Sequence, residues 1–184
     1  MPSAENASSS TTAGSDVETA ELLKELLRRT HLSAPSDIGA TVRDQAASLG
    51  GATDVGLYLV NYEQDTLVPI PGGVAGDPES LSVTGTVAGR AYTSAKILKT
   101  PGDAPGRQRL WVPLLDGTER LGTIGLTFPE AALSDALIEA CERYAHLVAM
   151  FIVTKGAYGD AFEMTRRRKT MTIASELVGG WRRR

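Results

Sequence analysis

The sequence predicts an α+β fold in which an antiparallel sheet has its helices segregated to one side. A block of short apolar segments lies between two helical regions, and Asp116-Gly117 separates two alternating segments, which is a strong hairpin signal. A long helical pattern begins at Ser134. Strands that follow one another through hairpins pair antiparallel, which leaves the helices on one side. The predicted strands are 54–61, 67–70, 81–83, 97–100, 109–115 and 119–128.

Two helices are predicted before the sheet. The first follows a capping box, with Ser15 at the cap and Glu18 three residues later. The second follows Pro35, and Gly50-Gly51 ends it. Each helix has apolar or small residues at spacings of three and four, which is typical of one amphipathic stripe. The stripes are Ala20, Leu23, Leu27 and Thr30 in the first helix, and Ile38, Val42, Ala46 and Leu49 in the second.

The last helix carries a longer stripe, whose spacings alternate between four and three residues. This period predicts a seam that continues past the domain body as a coiled coil. Gly156 and Gly159 weaken the pattern and indicate a bend. The stripe consists of Leu137, Cys141, Tyr144, Val148, Phe151, Lys155, Tyr158 and Phe162.

Composition indicates a globular protein without structural disulfides. The chain has 184 residues, 42% hydrophobic and 22% charged, with a net charge of −3 and one cysteine. This charge argues against a surface built entirely for nucleic acid. The start lacks a signal-peptide pattern, so a cytoplasmic location is expected. We predict a disordered tail at 1–14, a domain at 15–155, and a helical linker with a basic tail at 156–184.

The residues that most enzymes need are sparse, so neither catalysis nor a metal or cofactor is expected. The two histidines, His31 and His146, are far apart in the chain, and no phosphate-binding loop is present. Cys141 lies on the apolar stripe, which favours a buried small hydrophobe over a reactive thiol. The basic runs 166–169 and 182–184 favour a solvated helix face and tail over a nucleic-acid or membrane site.

The segments 84–92, 110–117 and 120–126 together resemble a GAF domain. The run TGTVAGRAY at 84–92 is similar to the small-residue helix of that family. The runs LWVPLLDG at 110–117 and RLGTIGL at 120–126 are similar to its central hairpin. The resemblance covers roughly 16–155 and implies a GAF-like fold, with a central antiparallel sheet of five to six strands and N- and C-terminal helices packed on one face.

A second resemblance lies at 163–177, which is similar to the helical linker after GAF domains in bacterial PP2C-type (SpoIIE/RsbU-like) protein phosphatases. It implies a protein phosphatase effector. No acidic metal-binding domain follows within this sequence, so a piece of a longer protein and a module that acts alone both remain open.

The GAF resemblance also implies a small-molecule site between one sheet face and the short helix. Arg90 could pair with an anion, and Tyr92 and Trp111 could stack on a ligand. In the alternative, Trp111 and Tyr58 fill the core and Arg90 lies on the surface. The predicted ligand-binding residues are Tyr58, Val60, Thr86, Arg90, Tyr92, Trp111, Pro113 and Thr123.

Three functions are therefore open. The first is a sensory and regulatory domain that binds an unknown small molecule and signals through a dimeric C-terminal helix to an effector. The second is a ligand-free dimerisation or protein-interaction module; in both, a homodimer is expected through the N- and C-terminal helices. The third is a small redox enzyme like the free methionine sulfoxide reductases of the GAF type, which one thiol makes the least favoured.

Overall fold

The computed structural model describes residues 20–21, 24–25, 27–29, 34–156 and 165–166. A short 3₁₀ helix, Pro35–Asp37, leads into helix α1, and a second one, Glu130–Ala132, precedes the last helix. The helices are α1 (Ile38–Ala46), α2 (Val87–Ser94) and α3 (Asp135–Gly156), and the strands are β1 (Asp54–Val60), β2 (Thr66–Val74), β3 (Leu81–Ser82), β4 (Leu98–Pro101), β5 (Arg107–Asp116) and β6 (Glu119–Pro129).

The six strands form one sheet in the order β3-β2-β1-β6-β5-β4, and every neighbouring pair is antiparallel. The predicted hairpin is confirmed, because β5 and β6 pair from Asp116 and Glu119 outward across Gly117, whose φ is +57°. Strand β2 runs further than predicted, past Pro71. Strand β3 pairs only with Thr66 and Leu67, the first two residues of β2. Pro69 therefore has no paired strand on that side within the described sheet, which suits a residue that lacks a backbone N–H.

Helices α1 and α3 cover one face of the sheet, which confirms the predicted α+β class and helix placement. Alternate residues of β1, such as Leu57 and Leu59, enter this core, and so do those of β5 and β6. The Tyr144 hydroxyl of α3 donates a 2.7 Å hydrogen bond to the Val42 carbonyl of α1, which joins the two helices. The core stripe of α1 is the predicted one, since Ile38, Val42 and Ala46 are fully buried.

Helix α2 lies on the opposite face of the sheet. Thr86 caps it by accepting a 3.0 Å hydrogen bond from the Gly89 N–H. A Cβ at Gly89 would lie 2.0 Å from the Val83 carbonyl oxygen, so the small residues predicted for this helix do allow a close approach.

The described part of the α3 stripe packs on the sheet, as the predicted helix placement requires, and its continuation as a coiled coil stays a prediction. Cys141, Tyr144 and Val148 are fully buried against the sheet and α1, and Phe151 is nearly so. Along this part of the helix, the stripe is thus the core face of its own chain and is not exposed to a second copy. The exposed large apolar side chains of α3 are Met150 and Val153.

Several predictions fall largely outside the described residues. They are the tail at 1–14, most of the first helix and of the 156–184 linker, and the coiled-coil positions Tyr158 and Phe162. The described parts of the first helix, at 20–21, 24–25 and 27–29, are helical. No helix within the described residues is both long enough and apolar enough to cross a membrane.

Candidate functional site

The sheet face that carries α2 gathers polar and aromatic side chains in three cross-strand rows. We call this surface the second face. Its rows arise because residues two apart on a strand point to the same side, and the strand register aligns β5, β6 and β1. The rows are Arg109–Thr127–Asp54, Trp111–Gly125–Gly56 and Pro113–Thr123–Tyr58.

The side chain of Arg109 crosses the second face over two glycines. A Cβ built at Gly125 would lie 2.6 Å from Arg109 Nε and 2.7 Å from Nη2. A Cβ at Gly56 would lie 2.8 Å from the same Nη2. Because neither glycine has a side chain, Arg109 can lie directly against the backbone of β1 and β6.

The guanidinium of Arg109 is mostly buried but incompletely paired. Its side chain is 12% exposed, and Nη1 donates to the carboxylate of Asp54 and, at 3.4 Å, to Thr127 Oγ1. Its Cζ lies 4.6 Å from the centre of the Trp111 ring, which is a cation–π distance. Among the described residues, its buried Nε has no hydrogen-bond partner, which is a costly state for a charged group.

An aromatic cluster lies beside Arg109. The rings of Tyr58 and Trp111 are 6.1 Å apart and tilted by 54°, within the range of favourable ring contacts. Burial raises the pKa of both Tyr58 and Tyr92 above the usual 10. The Arg109 guanidinium offsets part of this increase at Tyr58. Both phenols are neutral at physiological pH, so they can donate hydrogen bonds there.

The structure brings most of the predicted site residues together. Tyr58, Val60, Tyr92 and Trp111 share one apolar cluster. Pro113 and Thr123 are buried in the third row. The hydroxyl of Thr123 has no hydrogen-bond partner within the described residues.

The remaining predicted residues lie apart from this cluster. Thr86 caps α2, and Arg90 is exposed on the same helix. This placement is the one expected if the aromatic side chains fill the second face and Arg90 lies on the surface. Whether any of these eight residues binds a ligand stays a prediction.

Sequence reasoning missed Arg109, the charged side chain at the centre of the second face. It was assigned only as the first residue of a strand. The signal was available, because Arg109 lies two residues before Trp111 and so shares its face. The glycines that make room for it lie on β1 and β6, and their position opposite Arg109 follows from the register.

Two cavities lie towards the β4–β5 side of the sheet, and Pro113, one of the predicted ligand-binding residues, lines the first of them. One of about 300 Å³ is bounded by the α2–β4 turn, by β5 and by the exposed His146 of α3. A groove of about 520 Å³ follows the β4–β5 loop, beside Arg107. Within the described residues, no group of three or more His, Cys, Asp or Glu side chains could hold a metal ion.

Cys141 is the single cysteine of the chain and is fully buried in the core between the sheet and helices α1 and α3. Burial raises the pKa of its thiol from 9.0 to about 12. At neutral pH it is therefore a protonated, inaccessible thiol, as predicted for a small core hydrophobe.

We predict that the burial of Cys141 makes the free energy of unfolding fall at alkaline pH. The folded chain keeps the Cys141 proton above pH 9, whereas the unfolded chain releases it, so stability falls as pH rises from about 9 towards 12. The slope due to this group is at most about 1.4 kcal/mol per pH unit. Urea unfolding between pH 8 and 10 should show a steeper decline for the wild type than for Cys141→Ala. Parallel declines in the two proteins would contradict the assignment.

Comparisons with known proteins agree on the fold. No family model matches the sequence, and no curated protein matches it closely. The GAF domain of the Acinetobacter phosphoenolpyruvate-protein phosphotransferase has a TM-score of 0.62 at 16% identity, over 76% of this chain and 95% of that one. The corresponding domain from Coxiella burnetii has a TM-score of 0.65 at 13% identity, over 78% and 97%.

An enzyme shares the same architecture. The free methionine-R-sulfoxide reductase from Neisseria meningitidis, solved with its substrate, has a TM-score of 0.61 at 18% identity, over 77% of this chain and 92% of that one. Identities this low establish the shared fold and not a shared activity. Together with the sheet order and helix placement, these similarities show that the chain has a GAF-like fold.

Proposed function

We propose that this chain is a sensory and regulatory domain that binds a small molecule on the second face and signals through its C-terminal segment. The observation that carries the proposal is the Arg109–Trp111–Tyr58 cluster, in which a buried guanidinium has a donor left unpaired by the described part of the chain. A fold-level analogy supports it, because similar structures include domains of phosphotransferases and of a methyl-accepting chemotaxis protein.

A contact with the C-terminal segment supports the signalling route. The N–H of Tyr62 donates a 3.3 Å hydrogen bond to the Arg166 carbonyl, and the Arg166 Cζ lies 4.8 Å from the centre of the Tyr62 ring. Tyr62 lies two residues after the end of β1, the strand that places Tyr58 on the second face. A ligand that moves β1 would thus act on the segment leading to an effector such as a PP2C-type phosphatase.

Thermal unfolding of the full chain with pools of soluble metabolites tests ligand binding. A ligand at 100 times its Kd stabilises the folded state by about 2.7 kcal/mol, which raises Tm by several degrees. Hydrogen exchange with each hit should then change at β1 and around Tyr62. If no pool raises Tm, or if hits leave β1 unchanged, the sensory proposal fails.

The runner-up function is a ligand-free dimerisation module, and two observations favour it. The rings of Tyr58 and Trp111 already occupy part of the second face. On α3, Met150 and Val153 are 47% and 40% exposed, and they lie three residues apart on one side of the helix. A homodimer through the N- and C-terminal helices would cover such a stripe.

Light scattering tests the dimer, which the sensory proposal also uses. We expect a dimeric full chain, and a shift towards monomer in a chain ending at Lys155 and in the Met150→Glu/Val153→Glu double variant. Ala136→Glu is the matched control, because Ala136 is an exposed residue near the other end of α3. A monomeric wild type would contradict the dimer.

The redox-enzyme alternative has little support. Cys141 is the one thiol in the sequence and is buried between α3 and the sheet, so it lacks both a resolving partner within the chain and access to a substrate.

A further inference from the structure

We propose that the second face takes the carboxylate of its ligand on the Nε–Nη2 edge of Arg109, while Asp54 keeps Nη1. The ligand class is thus a small molecule with a carboxylate next to an apolar or aromatic body. This inference rests on the proposed function, since it specifies the chemistry of the same face.

The first argument is the pairing of the guanidinium. An arginine offers five N–H donors, and its Nε and one terminal nitrogen form an edge that matches the two oxygens of a carboxylate. Asp54 and Thr127 both contact Nη1, and Nε has no partner among the described residues. One carboxylate therefore holds one end of the guanidinium, and the edge suited to a second one is not used.

The second argument is the freedom of the Arg109 side chain. Its Nε–Nη2 edge lies over Gly125, and its Nη2 also lies close to Gly56. Because neither glycine has a Cβ, the glycines leave room for the guanidinium to pivot about its Asp54 contact, and the Trp111 ring, which also lies over Gly125, would move with it. Such a pivot turns the unused edge away from the sheet, where a ligand carboxylate can reach it.

The third argument is the surroundings of the edge. The Trp111 ring lies 4.6 Å from Arg109 Cζ, and the Tyr58 ring lies next to it. The half-buried Trp111 ring offers an apolar surface to the body of the ligand, and the buried Tyr58 ring packs beside it. The hydroxyl of Thr123, one row further along the same face, is fully buried and has no hydrogen-bond partner within the described residues. A carboxylate with an attached ring or short chain fits this combination.

Asp54 gives the proposal a distinctive consequence. Its carboxylate repels a bound carboxylate through the shared guanidinium, so Asp54→Asn should tighten carboxylate binding while loosening Arg109 in the free protein. If the pair were only structural, Asp54→Asn and Arg109→Gln would both lower stability, and neither would change binding selectively.

Tryptophan fluorescence tests the proposal. In the full chain carrying Trp181→Phe, Trp111 is the sole tryptophan and reports on the site. The probes are acetate, benzoate, phenylacetate and 3-phenylpropionate, each measured beside its neutral primary amide. We expect saturable quenching by at least one carboxylate, with its amide weaker by about tenfold or more, since a charge-assisted pair is lost.

Variants locate the effect at Arg109. We expect Arg109→Gln to weaken carboxylate binding about tenfold, and Arg109→Lys to weaken it less because the charge remains. The matched control is Arg107→Gln, since Arg107 lies on the same strand and bonds to Thr53 instead. Circular dichroism and Tm show which variants are folded. For Asp54→Asn we expect the opposite change, a gain of affinity for the carboxylate.

Three outcomes overturn the proposal: no carboxylate binds, amides bind as well as acids, or Arg109→Gln binds like the wild type. A neutral metabolite that raises Tm and changes Trp111 fluorescence would keep the proposed sensory function while refuting the carboxylate site. Absence of any ligand in the metabolite screen would refute the sensory function itself.

Discussion

Gly122→Ala is expected to lower the free energy of unfolding by about 3 kcal/mol, because a methyl group there meets the backbone of the neighbouring strand. Gly122 lies on β6 between Leu59 of β1 and Leu114 of β5. A Cβ would lie 2.0 Å from the Tyr58 carbonyl oxygen and 2.8 Å from Leu59 Cα. Backbone atoms cannot rotate away as a side chain can, so β1 and β6 would have to separate.

Urea unfolding followed by circular dichroism measures this change. Gly85→Ala is the matched control, because the nearest atoms to its new Cβ would be those of Ser82 at 3.4 Å, an ordinary contact. We expect the control to change stability by at most about 0.5 kcal/mol. Equal stabilities of the two variants would show that β1 and β6 can separate at this point without cost.

Much of the fold was predictable because local patterns and strand pairing agree. Asp116-Gly117 fixes the β5–β6 hairpin, and the alternation of β1 correctly divides Leu57 from Tyr58 between the two faces. The long stripe of α3 was read correctly as apolar, its described part packs on the chain's own sheet, and its predicted continuation as a coiled coil stays a prediction. Periodicity shows which side of a helix is buried and cannot show whether the cover is the chain's own sheet or a second copy.

The candidate site was less predictable, because its geometry depends on three strands at once. Tyr58 and Trp111 were identified as neighbours, since the fold resemblance gave the right face. Arg109 was missed, and Arg90, which the structure places exposed on α2, stays a prediction as an anion partner. The space for Arg109 comes from Gly56 and Gly125, which lie 53 and 16 residues away in the chain and align with it only through the register.

Tyr144→Ala is expected to destabilise the chain by about 4 kcal/mol, the largest effect of a core substitution that we predict. The side chain is fully buried between α3, α1 and the sheet. Its removal leaves a cavity and also breaks the 2.7 Å hydrogen bond to the Val42 carbonyl, which joins elements 102 residues apart. Equilibrium unfolding in urea at pH 7.5 measures the change.

Tyr144→Phe separates packing from hydrogen bonding, because it keeps the ring and removes the hydroxyl. We expect a loss of about 1 kcal/mol, the usual contribution of one such bond.

Burial also raises the pKa of Tyr144 above its usual 10, so the folded chain keeps this proton where the unfolded chain releases it. The wild type should therefore lose stability faster above pH 10 than Tyr144→Phe does. If the phenylalanine variant is as unstable as the alanine one, the hydroxyl and not the ring is what holds α1 to α3.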